Sequence, residues 1–234
     1  MSDHINIDFG ARALIAGRTF DDAAIRDIEL TRARRALAYL KAKIGNAAMR
    51  DLLQDDIDQT QVRNREWVET SGGQWKSGSL ELVVPGPGAA AFHGYFMTMM
   101  KKDRQPELRA GHPEHFMNVP LGPHAEVIEN VGQDDLPWFI RLDFTPPDTE
   151  FPAPWDPAYP AEHRLGAFIN DADGLRIGSA IHEMRDAEDG LHVKLTIILP
   201  DAAPDDFIEG HLQHFAVEFR NWTHGAKMRI SAAG

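Results

Sequence analysis

The sequence predicts an α+β chain in which a curved antiparallel sheet wraps one long C-terminal helix, with a separate helical extension ahead of it. Three observations carry that expectation. From Pro204 to Trp222 the apolar residues Phe207, Ile208, Leu212, Phe215, Phe219 and Trp222 recur at helical spacing. Before them, runs of strand character follow one another from His124 to Leu199, with Asp173-Gly174 and Asp189-Gly190 placed to turn hairpins. The first third of the chain has no such strand runs and reads as helix.

In chain order, Thr19 is placed to cap a helix from Phe20, with Asp21, Asp22 and Asp27 early and Leu37, Leu40 and Ile44 at helical spacing up to Gly45. Asn46 opens a second run with the stripe Met49, Leu52, Leu53, Ile57. Such an arm packs on its own domain or on a second copy, and a homodimer through it is the expectation. SGGQWKSGS, Ser71 to Ser79, reads as a flexible linker, which sets a helical arm at 1–73 and the main domain at 74–234. Leu80 to Val84 is a short strand stopped by PGPG, and Pro87 opens a helix to Lys102. A second short helical piece, PELRAGHPEHF, follows. Strands are then expected at His124–Val131, Trp138–Phe144, Arg164–Asn170, Leu175–Met184 and Leu191–Leu199, with a Pro-rich loop joining the second to the third. This is the order of the helix-grip fold, of the START and pollen-allergen type. It leaves a cavity between sheet and helix, for which Phe92, Phe96, Met99, Trp138 and Phe215 are the expected lining.

Composition narrows the function. A net charge of −12 over 234 residues offers no basic face for a phosphate backbone or an anionic membrane surface, so nucleic acid and membrane are not expected partners. With no cysteine, disulfides and thiolate sites are excluded, metal ligands must be His, Asp or Glu, and a cytoplasmic setting is the default. The polar start MSDHINIDFG has no signal-peptide pattern, and no apolar run approaches the ~18 residues of a membrane span. Neither a nucleophile elbow nor a nucleotide-binding Gly-rich loop is present.

What remains is a metal-ligand pattern. His214 and Glu218 stand one turn apart on one face of the last helix, where an imidazole and a carboxylate can close on a single ion. Taken alone, such a pair is more often exposed or satisfied by neighbours. In HAEVIE, Glu129 shares its strand parity with Ala125 and Val127 and is expected to point inward, a costly position unless a cation meets it. The alternatives are a shifted register or neutralisation by an arginine such as Arg141.

Three runs, HAEVIENVGQDDLPWFIRLDF, IHEMRDAEDGLHVKLTIIL and HLQHFAVEFRNW, resemble successive motifs of the 2,4-diacetylphloroglucinol hydrolases and their relatives. The resemblance spans roughly Leu82 to Trp222. It implies a helix-grip domain holding zinc with two histidines and two glutamates, and cleavage of a carbon–carbon bond between an acyl group and a phenolic ring. It implies Glu129, His214 and Glu218 as ligands, with Glu129 and His182 in the chemistry, His182 as proton carrier. A histidine on the outer face of the sheet is the other reading of His182. The family's first histidine falls in register with Thr98 to Met100, where none stands. His93, on the same predicted helix, is the stand-in ligand, the alternative being a core histidine bonded to a carbonyl. His112 and His115 have an HxxH spacing, but Pro113 makes that segment a turn or helix start and gives them an expected exposed capping role. Two function classes stay open: a zinc hydrolase of an acylated phenol or related β-diketone, and a helix-grip protein binding an apolar small molecule without catalysis.

Overall fold

The computed structural model describes residues 9–233; the stretch 1–8, expected to hold no signal peptide, lies outside them. By packing the chain divides into two compact units, Met1–Gly45 and Asn46–Gly234. The boundary expected at 73/74 therefore falls inside the second unit.

In the first unit a small hairpin, β1 (Ala13–Ile15) and β2 (Arg18–Phe20), precedes α1 (Asp22–Ile44). Its two turn residues, Ala16 and Gly17, both have positive φ, the backbone that matches the twist of a two-residue hairpin. Thr19 lies within β2 opposite Leu14, so it does not cap the helix. Asp21 does, its carboxylate accepting the Ala24 N–H at 2.9 Å. Leu30, Tyr39 and Leu40 of α1 are exposed.

The second unit starts with α2 (Asn46–Leu52) and α3 (Gln54–Ser71) and continues through β3 (Trp75–Val84), α4 (Ala89–Lys101), α5 (Gln105–Arg109), β4 (Met117–Pro120), β5 (His124–Asn130) and β6 (Pro137–Thr145). After a Pro-rich loop come β7 (Arg164–Asn170), β8 (Arg176–Ala187), β9 (Gly190–Pro200) and α6 (Asp205–Ala233). β3 to β9 form one antiparallel seven-stranded sheet in the order β3-β9-β8-β7-β6-β5-β4. With α6 laid across one face, this is the helix-grip fold the sequence predicts. No helix among the described residues is long and apolar enough to cross a membrane.

Of the expected linker, Ser71 ends α3, residues 72–74 turn, and Trp75 to Ser79 form the first half of β3, which is hydrogen-bonded to β9 along its whole length. Its glycine serves packing: a Cβ on Gly78 would lie 2.3 Å from Ile208 of α6. β4 is a strand the sequence did not announce. Helices α2 and α3 belong with the sheet, Ile57 packing with Met117, Ile128 and Phe139 on the outer face. Arg63 of α3 pairs with Asp134 and lies near the rings of Trp67, Trp138 and Phe207. The inner face forms one core in which Val127, Ile140, Ala180, Leu195 and Ile197 meet Phe215, Phe219 and Trp222 of α6. Phe92, Met99, Trp138 and Phe215, expected to line a cavity, are buried members of that core, with Phe96 packed against it. On the outer face, Phe151, Ala153 and Trp155 of the Pro-rich loop cover Ile181 and Ile198.

Candidate metal centre

Strand parity puts Glu129 where the sequence expects it. Ala125 and Val127 enter the core beneath α6, and Glu129 lies on the same side, two residues on. Arg141 is not its partner, being paired with Asp143 at 2.8 Å. Glu129 meets histidines instead. Its Oε2 is 3.2 Å from Nε2 of His115 and 3.8 Å from Nε2 of His214.

His115 is the residue that sequence reading misplaced. It is fully buried, not an exposed cap. Side chains of α6 hold its turn in place. Trp222 Nε1–H is shared between the Glu107 and Leu108 carbonyls at 3.3 Å each, and Asn221 donates to Gly111 O at 2.8 Å. Gly111 lies so close under the Trp222 indole that a Cβ there would come within 2.6 Å of it. The chain then turns so that His115 Nδ1 bonds the Leu108 carbonyl at 3.1 Å, leaving Nε2 pointing at the centre.

Around that nitrogen stand three acceptors: His214 Nε2 at 3.0 Å, Glu129 Oε2 at 3.2 Å and Glu218 Oε1 at 3.2 Å. One N–H can point well at only one of them. Ligands about 2.0–2.1 Å from a tetrahedral ion are about 3.3 Å from one another, close to the spacing seen. His115, Glu129 and His214 each place one ligand atom within 4.8 Å of the others, with Glu218 joined through His115. The donor set thus fits a divalent cation, whose charge would neutralise two carboxylates held largely out of water.

Electrostatics tell the same story. Burial pushes the Glu129 carboxyl up to about 8, against the pull of His115 and reinforced by the charges of Glu218 and Glu114. Burial works against a charged His115, but its bond to Glu218 and the Glu218 and Glu129 charges together raise it. His214 is held well below its usual range by burial and by the surrounding histidines.

His182 faces α6, its ring edge-on to Phe215 and Phe219 with centroids 5.0 and 4.8 Å away, and so is not on the outer face. Burial lowers its imidazole to about 4, the Ile181 carbonyl opposing weakly. His211, which sequence reading passed over, lies between these groups on the buried face of α6. Its ring is 5.1 Å from His214 and 4.4 Å from Phe215, and burial, with His182 and His115 nearby, brings it down to about 3. His93 does not join the centre. α4 turns Phe92 and Met99 into the core, and the position beside them places His93 against His163, 5.8 Å between ring centroids.

The chain matches no protein-family profile and no curated protein. Solved structures similar to it include Ara h 8.0201, 13% identical over 65% of this chain and 98% of that one, with a TM-score of 0.43. An uncharacterized protein from Rhizobium leguminosarum aligns at 13% identity over 66% and 96%, TM-score 0.38. A protein from Thermobifida fusca, solved by NMR in solution, aligns at 18% identity over 65% and 92%, TM-score 0.33. With scores this low, the helix-grip assignment rests on the strand order and the gripped helix themselves.

Proposed function

We propose that the centre holds one zinc ion and that the chain is a hydrolase cleaving the bond between an acyl carbon and a phenolic ring carbon, or the equivalent bond of a β-diketone. The observation that supports this most is the meeting of His115, Glu129 and His214, with Glu218 3.2 Å from His115, while His182 of β8 packs against Phe215 and Phe219 of α6 nearby. The nitrogen and carboxylate donors suit zinc, and the likeness of the three motifs to 2,4-diacetylphloroglucinol hydrolases supports the substrate class. Bound there, the ion supplies polarisation of an acyl carbonyl and a more acidic water.

The remaining work falls to the chain. Water is added across the carbon–carbon bond: its oxygen goes to the acyl carbon, giving a carboxylic acid, and a proton goes to the ring carbon as it leaves. A phenol that can tautomerise to a ketone makes that carbon a feasible leaving group. His182 carries the proton. With its imidazole brought down to about 4 it is uncharged at neutral pH, so it must first take a proton before giving one. Phe215 and Phe219 against its ring keep bulk water from intercepting that transfer.

The purified protein is expected to contain one zinc per chain. His182→Leu is expected to keep that zinc while hydrolysis of an acylated phenol falls by at least about 100-fold, the scale for losing an acid–base group. An unchanged rate would sink the assignment of His182. A carefully purified protein without metal would move the reading to a small-molecule binding protein. In the same proposal the exposed Leu30, Tyr39 and Leu40 of α1 contact a second copy, and a monomeric mass by light scattering would exclude that dimer.

A further inference from the structure

His214 has two ring nitrogens, and only Nε2 faces the centre. On the Nδ1 side lies another potential ligand group: His112, Glu114 and His214 also bring one ligand atom each within 4.8 Å of the others. A second ion does not suit them. The His112 ring lies stacked on His214, centroids 3.7 Å apart and planes 20° apart. A metal sits in the plane of the imidazole that binds it, so two near-parallel rings at that separation cannot both direct a lone pair at one ion about 2.0–2.1 Å away. His112 Nδ1, moreover, accepts the Glu114 N–H at 3.2 Å.

His214 Nδ1 itself is buried without a hydrogen-bond partner. The carboxylate within reach is Glu114 Oε2, 3.8 Å away on a side chain that is about half exposed, with His112 Nδ1 at 3.7 Å from the same oxygen. His115, the other imidazole of the centre, already has its outer nitrogen on the Leu108 carbonyl. A ligating imidazole almost always donates its second N–H, and a shift of about 1 Å would close the Glu114 contact into a charge-assisted bond.

We infer that Glu114 is a positioning residue for the centre: it accepts Nδ1–H of His214 and fixes the tautomer that presents Nε2 inward. The HPEH turn, residues 112–115, then supplies one ligand directly and orients the other across its contact with α6. His112, stacked on His214, holds the ring plane. This inference rests on the metal reading above.

Its test uses the full chain stripped of metal, with zinc added in competition with a chromophoric chelator. Glu114→Ala is expected to weaken zinc binding 10–100-fold, the usual cost of losing such a partner. Glu114→Gln, which keeps an acceptor oxygen without the charge, should fall between it and the wild type. The thermal midpoint of the metal-free protein, measured for all three, separates a loss of zinc affinity from a loss of stability. Equal zinc affinity in Glu114→Ala and wild type would overturn the inference alone. So would a loss of metal-free stability that accounts for the weaker binding. A wild type that takes up no zinc would overturn this inference and the metal reading together.

Discussion

Stripping the metal from the purified protein is expected to lower its thermal midpoint by roughly 10 °C, and returning zinc to restore it. An ion held at a thousandfold excess over its dissociation constant contributes about 4 kcal/mol, and about 2–4 °C follows from each kcal/mol in a domain of this size. His115→Ala should make the protein indifferent to chelator, because His115 is the one side chain within 3.2 Å of the other three donors. It should also fall below the stripped wild type. In the metal-free protein His115 Nε2 lies 3.2 Å from both Glu218 and Glu129, and its loss leaves the two carboxyl groups without that partner in a largely buried place. Breaking such a group costs about 3 kcal/mol or more. His93→Ala should change neither zinc content nor chelator response, since His93 stands against His163. A midpoint that ignores both chelator and zinc would remove the metal from the account.

The second large effect is expected where two backbones touch. A Cβ on Gly132, whose φ is +68°, would meet the Phe207 Cα at 2.6 Å, and one on Gly210 would meet the Gly132 carbonyl carbon at 2.6 Å. The loop after β5 and the first turns of α6 are thus as close as main chains can come. Elsewhere in a helix, Gly→Ala stabilises by about 1 kcal/mol. Gly94→Ala in α4, with nothing within 4 Å of the added carbon, should do so. Gly210→Ala should instead destabilise by about 3 kcal/mol in urea unfolding, because neither contact can be relieved by rotating a side chain. It should weaken zinc binding at least about tenfold as well, since His214 follows one turn later and a ligand displaced by 1 Å is a poor one. A Gly210→Ala protein as stable as the wild type would show that the helix has room the contacts deny.

Periodicity made much of this legible in advance. α6 repeats its apolar residues along most of its length, and the Glu129 side follows from alternation with Ala125 and Val127. His214 and Glu218 follow from the helix. The parts that stayed hidden are those decided by distant packing. Ser77, Gly78 and Ser79 look like linker because their composition reports only the backbone's freedom, whereas Gly78 is small because Ile208 lies over it. His115 was assigned to the surface because Pro113 breaks any regular pattern around it. Its burial is imposed by Trp222 and Asn221, more than 100 residues later. His93 stands on the expected helix, but the inward face of α4 is set by Phe92 and Met99, and one position's rotation separates His93 from the centre.

The order in which the centre can come into being follows from where its members lie along the chain. His115 and His214, now 3.0 Å apart, are separated by 99 residues, and between them run β4 to β9. Neither a local turn nor a single hairpin brings even two imidazoles together. Closing so long a loop is entropically costly, and contacts of this separation form late, after the sheet has paired and α6 has docked. An ion cannot then act as a seed for folding, as it does in a zinc finger whose ligands are neighbours. It captures a structure already made. Its energetic weight falls on the escape from the native state, so the loaded protein should owe its persistence to slow unfolding and not to fast refolding.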